Sequence, residues 1–282
     1  MPCRHYRGPS SSVVLFDNLV ILTFDGADYQ YVTALDKVSG ETVWKTDRNV
    51  EWNDQNLTGE YAKYADMAKE GDFRKAHSTP LVVNSNGKPL LVSGGAKATF
   101  GYDPHTGKEL WRVHYDDWSV APRPLFKDGV AFIVTGLMHP ELWAVKTDGE
   151  GDVTESQQVL WRLKTGVTKT ASPLLVDDLI YMVNDDGVAS CVDSADGNVV
   201  WKKRIGGKHA SSPIYAVDAK NGKGRIYFFN QDGETTVIKP GREFVLLATN
   251  TLDDGFMASP AAADGAFYLR TKSHLYRIED GP

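Results

Sequence analysis

Short apolar runs recur along the chain, each closed by Gly, Asp, Asn or Thr. LVILTF (19–24), PLLVSG (89–94), VAFIVTG (130–136), LIYMVN (179–184), RIYFFN (225–230) and AFYLRT (266–271) are the strongest. They are too short for helices and rich in β-branched and aromatic residues, which predicts strands buried on both faces. Each is followed by a shorter alternating run: YVTALD, TFGYD, ELWAVK, ASCVD, TTVIK and LYRIE. Each is preceded by a strand that opens at a Ser/Thr-Pro or similar mark, as in HSTPLVV (77–83), TASPLLV (170–176) and SSPIYAV (211–217).

The marking prolines are Pro80, Pro124, Pro173, Pro213 and Pro260, spaced by 44, 49, 40 and 47 residues. Ser12 is taken to hold that place in the first unit, 68 residues before Pro80, so this unit carries an insertion. Four short strands, here A to D, in every 40–50 residues predict an all-β chain, a β-propeller of four-stranded antiparallel blades. The units fall at about 9–48, 76–117, 118–165, 166–206, 207–250 and 255–282, in a single domain. The last unit ends inside its C–D turn. Closure of the ring then needs the N-terminal CRHYRG (3–8) as its fourth strand; otherwise the chain is part of a seven- or eight-bladed ring. Within the 49–75 insertion, TGEYAKYADMAKEG (58–71) reads as a short helix, with Thr58 as N-cap and Gly71 as its stop, lying over one face.

The fourth strand carries a heavy residue at a fixed distance from a turn: DKVSGETVWK (36–45), DPHTGKELWR (103–112) and DSADGNVVWK (193–202). Asp36, Asp103 and Asp193 can accept hydrogen bonds from turn amides. Gly40, Gly107 and Gly197 supply a left-handed position at little cost. Trp44, Trp111, Trp161 and Trp201 then stand on outer strands, where a lone blade would expose them. Docked on the next blade, each indole buries roughly 200 Å², on the order of 5 kcal/mol as an upper bound. In the fifth unit, Phe244 or Leu246 is expected to replace the tryptophan.

Charge and cysteine content exclude several classes. The 282 residues carry 31 Lys+Arg against 37 Asp+Glu, a net charge of −6, which argues against a nucleic-acid partner. Cys3 and Cys191 have neither metal nor CxxC spacing. No 18-residue apolar run predicts a membrane span, and MPCRHYRGPSSS has no signal-peptide core. There is no GxSxG, P-loop or HExxH. Asp25 with Asp28, or Asp185 with Asp186, is a weak carboxylate pair, because neighbours in a turn tend to point apart.

The repeat, a short aliphatic residue followed by Asp-x-x-x-Gly-x-x-x-Trp, resembles the tryptophan-docking repeat of quinoprotein-type, or PQQ-like, propellers. ALDKVSGETVWK, GYDPHTGKELWR and CVDSADGNVVWK carry the resemblance, which fades after residue 235. It implies one of two functional classes. The first is a non-catalytic propeller scaffold, such as the lipoprotein that serves outer-membrane barrel assembly. The second is a quinone- and calcium-dependent oxidoreductase. The second class is typically eight-bladed, and many of its members have a vicinal disulfide; neither that disulfide nor a matching calcium-ligand motif is present here. The scaffold reading therefore leads, with no cofactor expected, and PQQ with calcium belongs only to the alternative. The resemblance also implies an exported, periplasmic protein. Partners are expected to be another protein or a polar or anionic small ligand, bound to a monomer.

Topology predicts where such a ligand would sit. The C–D hairpins decorate one face. The B–C turns and D-to-A crossovers fall on the other, with Asp25, Asp28, Arg48, Lys75, His77, Lys169, Asp185, Lys208, His209 and Asp232. A mixed acidic and basic mouth suits a polar or anionic ligand. Each of these residues also has a plain reading as turn former or solvated loop charge.

Overall fold

The computed structural model describes residues 3, 4, 8, 10–218 and 221–279. His5, most of the 3–8 segment and the close of the sixth unit lie outside the described residues. The chain divides into two compact units, residues 1–164 and 165–282.

In the first unit, β1 (Val14–Phe16), β2 (Leu19–Asp25), β3 (Gln30–Asp36) and β4 (Thr42–Asp47) form one antiparallel meander. A second follows from β5 (Leu81–Ser85), β6 (Lys88–Gly94), β7 (Ala98–Tyr102) and β8 (Glu109–His114). A third contains β9 (Leu125–Lys127), β10 (Val130–Val134) and β11 (Leu142–Lys146). Its C–D connection forms the short β12 (Gly151–Asp152) before β13 (Val159–Leu163) completes the sheet. The sheets pack face to face in chain order. Leu19, Ile21, Val32, Ala34 and Trp44 of the first meet Leu91, Ala98, Phe100 and Tyr102 of the second. Trp111 and Val113 of the second share a core with Ala131, Ile133, Trp143 and Val145 of the third. Sequence did not foretell β12, which pairs parallel with β8 through Gly151–Trp111 and Asp152–Arg112. It covers part of an outer strand edge that would otherwise present unpaired amides.

The second unit repeats the design. One meander comprises β14 (Leu174–Val176), β15 (Leu179–Val183), β16 (Val188–Asp193) and β17 (Val199–Arg204). The next comprises β18 (Ile214–Val217), β19 (Gly224–Phe229), β20 (Glu234–Lys239) and β21 (Val245–Thr251). A three-stranded sheet of β22 (Ala261–Ala263), β23 (Ala266–Arg270) and β24 (Leu275–Glu279) ends the described residues. Tyr181, Cys191 and Trp201 of the first meander pack with Ile226, Phe228, Ile238 and Phe244 of the second. Phe229 of the second meets Phe256 and Leu269 beside the third.

The C–D turns are built as their residues dictate. Asp36 Oδ1 accepts from Val38 N at 2.9 Å and Ser39 N at 2.8 Å, and the Gly40 amide returns to the Asp36 carbonyl at 2.8 Å. Asp103 and Asp193 do the same for their turns. The indoles of Trp44 and Trp201 reach the next sheet's turn: their Nε1 groups donate to Pro104 O at 3.0 Å and Gly241 O at 3.2 Å. Trp111 is fully buried. Trp161 is half-buried, its ring tilted against Phe132 at 5.8 Å.

Ladder register corrects two expectations. In each of the first five sheets, strand C slips by one residue against strand D. Just before the slip, Ala34 faces Trp44, Gly101 faces Trp111, Ala144 faces Trp161 and Cys191 faces Trp201. In the fifth sheet that position is Ala248, facing Val237, and not Phe244 or Leu246. Phe244 instead receives Trp201 edge-to-face at 5.2 Å, while Leu246 is exposed. The second correction concerns Ser12. β1 begins at Val14 as β5 begins at Leu81, so Val13 stands where Pro80 does, and Ser12 matches Thr79. That position has a bonding role: Ser12 N donates to Thr79 Oγ1 at 2.9 Å, Ser172 N to Ser212 Oγ at 2.9 Å, and Ser212 N to Ser259 Oγ at 3.0 Å. The hydroxyls before Pro80, Pro213 and Pro260 thus clip their strands A to the preceding ones.

The insertion differs from one continuous helix. It comprises a 3-10 turn (Gly59–Tyr64), a five-residue helix α1 (Ala65–Lys69) and a second 3-10 turn (Asp72–Arg74). Thr58 is extended and makes no side-chain cap. Gly71 does stop the helix, with φ of +85°. A Cβ on Gly71 would lie 2.2 Å from the Ala27 Cβ, so the insertion is pressed onto the Asp25–Gln30 turn. Its Ala68 and Phe73 join Ala96 and Trp118 in a separate small core.

Candidate functional site

The crossovers do bond to the B–C turns. In the first unit, Lys97 N donates to Asp117 O at 2.9 Å, Ser119 N to Lys75 O at 2.8 Å, and Leu137 N to Trp118 O at 3.0 Å. In the second, Gln231 N donates to Lys208 O at 2.8 Å and His209 N to Asp185 O at 3.4 Å. Each unit therefore gathers its predicted residues at one end of its sheets, but as distinct groups.

In the first unit, Asp25, Arg48 and Lys75 come together, and all three are buried. Asp25 ends β2 and Arg48 follows β4. Arg48 Nε lies 2.9 Å from Asp25 Oδ1, an ion pair by distance but misaligned for a hydrogen bond. The guanidinium also donates to Ser93 Oγ at 2.8 Å and lies 5.0 Å from the Phe100 ring centre. Burial pushes the Asp25 carboxyl up to about 6, against the pull of Arg48 and Lys75. Lys75 Nζ lies 3.9 Å from Cys3 Sγ, and burial raises the Cys3 thiol. Asp28 Oδ1 accepts from Arg4 N at 2.8 Å and Tyr29 N at 3.0 Å, shaping its own loop. His77 stands apart, its Nδ1 against Ser10 Oγ and its amide on Val120 O at 2.7 Å.

Sequence reasoning passed over the neighbouring carboxylates of Asp116 and Asp117. The Asp117 carboxylate accepts from Trp118 N at 2.7 Å, Met138 N at 3.1 Å and His139 N at 2.8 Å. Desolvation of this side chain nevertheless raises its pKa overall. Lys97 Nζ donates to Asp116 Oδ1 at 2.6 Å and lies 5.0 Å from the Phe73 and Trp118 rings. Tyr61 of the insertion donates to Asp116 Oδ2 at 2.5 Å. Burial opposes ionisation of Asp116, but Lys97 and Tyr61 outweigh it and hold its pKa below the usual range. The adjacent pair Asp116-Asp117 in YDDW was the visible signal.

In the second unit the turns NDDG and NQDG have one plan. Asn184 Oδ1 accepts from Asp186 N at 3.1 Å and Val188 N at 2.9 Å; Asn230 Oδ1 accepts from Asp232 N at 3.0 Å and Glu234 N at 2.8 Å. Asp186 and Asp232 are exposed on these turns, as is Lys208. Asp185 is half-buried, with Thr170 Oγ1 at 3.5 Å from Oδ2; burial raises its pKa against the pull of Lys169. His209 is buried, its Nε2 against Gly206 O at 3.0 Å, and desolvation lowers its pKa. A carbonyl accepts only, so Nε2 carries the proton in this bond.

Most of these side chains are committed to one another or to backbone amides. Among the described residues, no group of three His, Cys, Asp or Glu side chains is arranged to hold a metal ion. Among the described residues no helix is long and apolar enough to cross a membrane.

Comparisons with known proteins agree with the repeat and its fold. Outer membrane protein assembly factor BamB of Yersinia pestis is 21% identical over 303 residues, covering 89% of this chain and 70% of that protein. The crystal structure of BamB from Moraxella catarrhalis superposes with a TM-score of 0.63 at 13% identity, over 94% of this chain and 68% of that one. The quinohemoprotein alcohol dehydrogenase of Comamonas testosteroni gives a TM-score of 0.60 at 12% identity, covering 97% of this chain but 53% of the enzyme. Both likenesses show a shared β-propeller fold. Residues 28–280 match the family described as outer membrane protein assembly factor BamB, and the chain belongs to that family of PQQ-like propeller proteins.

Proposed function

We propose that the chain is a non-catalytic scaffold that binds another protein through the face of the first unit that carries its B–C turns, its crossovers and the 49–75 insertion. The observation that supports this best is the commitment of its buried charges. Asp25 is spent on Arg48, Asp117 on three amides, and Lys97 with Tyr61 on Asp116. A general acid or base must be able to reach a substrate proton, and these groups already hold loops together. What that face offers outward is a mixed-charge rim, with Glu60, Lys63 and Lys69 exposed. Relatives named as outer membrane assembly factors favour the same reading, and with it an exported protein that works with other proteins. No resident cofactor belongs to this reading.

The second reading, a quinone- and calcium-dependent oxidoreductase, draws on the fold shared with the alcohol dehydrogenase. Two measurements separate them. A photo-crosslinker at Lys63 or Lys69 should capture a defined partner that one at Ser39 or His105, on the C–D turns, does not. Titration with PQQ and calcium should leave the quinone absorbance unchanged. Saturable calcium-dependent quinone binding with alcohol turnover would replace the scaffold by the enzyme.

A further inference from the structure

Under each of the four indoles, strand C supplies a small residue: Ala34, Gly101, Ala144 or Cys191. Space for the ring is made from below; a Cβ on Gly101 would lie 2.3 Å from the Trp111 indole. The fifth sheet inverts this pair, with Val237 on strand C and Ala248 on strand D. The valine fills only part of the volume an indole takes elsewhere. A cavity of about 700 Å³ opens there, floored by Tyr227, Val237, Pro240, Leu247 and Ala248. That volume is in the range of small-molecule sites.

Its polar wall has one sign. Lys223, Arg225 and Lys239 line the cavity, together with Asn250, and among the described residues no carboxylate lines it. Asp218 lies 3.4 Å from Arg225 but outside that lining. We infer that this cavity is a binding site for a planar aromatic group carrying an anionic substituent, an aryl carboxylate in its simplest form. The apolar floor takes the ring where an indole would otherwise sit, and Tyr227 offers an aromatic contact. The cations take the charge and can lie over the ring itself. An aryl amine meets three like charges, and an uncharged ring leaves the cations unused. This site is in the second unit and is independent of the protein-binding reading above.

Calorimetric titration of the full chain with indole-3-propionate, tryptamine and indole tests it. Indole-3-propionate should bind saturably, at least about tenfold tighter than either of the others. Val237→Ala with Ala248→Trp restores the small-under-large pair of the other sheets. It should abolish binding of the carboxylate and raise Tm. Lys239→Gln with Arg225→Gln needs no repacking and should weaken indole-3-propionate about tenfold while leaving indole unchanged. Absence of saturable binding by the parent, equal binding of tryptamine, or parent-like affinity in either double variant would overturn the assignment.

Discussion

Gly40 and Gly107 hold the same place in two C–D turns, with φ of +72° and +71°. Alanine at either must adopt a left-handed backbone, costing about 1–2 kcal/mol. Only their surroundings differ. A Cβ on Gly40 meets nothing within 4 Å, whereas one on Gly107 lies 2.4 Å from the Trp44 ring and 2.8 Å from Thr46 Oγ1. The Trp44 indole is only 8% exposed and its Nε1 is bonded to Pro104 O, so it cannot move away without surrendering contact. Overpacking a filled site costs about 1–3 kcal/mol, and complete undocking of the indole about 5 kcal/mol as an upper bound. Gly40→Ala should therefore cost about 1–2 kcal/mol, and Gly107→Ala about 2–4 kcal/mol more. Urea unfolding of both variants measures the gap as a shift in midpoint at constant slope. In a Trp44→Ala background the extra cost of Gly107→Ala should vanish, because the clash has lost its partner. Equal costs for the two glycine variants in the parent chain, within about 0.5 kcal/mol, would refute the claim that indole docking joins the first two sheets.

Two further outcomes follow from the buried polar groups. Asp25 has its folded pKa raised from 3.8 to about 6, so its contribution to stability is fully present below about pH 4 and is lost as pH rises through 6. The parent should thus lose about 3 kcal/mol between pH 3 and 7 relative to Asp25→Asn, read from the difference of their unfolding curves across that range; parallel curves would show that Asp25 ionises as it does in the unfolded chain. Asp117→Ala strips the acceptor from three amides of two loops and should cost about 3 kcal/mol or more in urea unfolding, while Asp232→Ala, on an exposed turn, should cost under about 0.5 kcal/mol.

Local chemistry fixed the units and their turns. Period-two runs of β-branched and aromatic residues can bury themselves only as strands, and Asp-x-x-x-Gly closes a turn with its own carboxylate, so neither needs information from afar. Trp44 and Trp201 were likewise legible as docking residues, since an indole on an outer strand has to find cover. Tertiary structure decided whatever depends on which residues face each other. The one-residue slip in each C–D ladder moved the fifth Trp position from Phe244 or Leu246 to Ala248. Packing on Ala27 and Trp118 broke the expected helix into short turns that local propensity alone would have joined. The commitment of Asp25 to Arg48 spans a B–C turn and a crossover, and the three amides held by Asp117 come from two loops. A sequence records that such charges exist, but only the folded chain determines which are spent on each other and which are left to meet a partner.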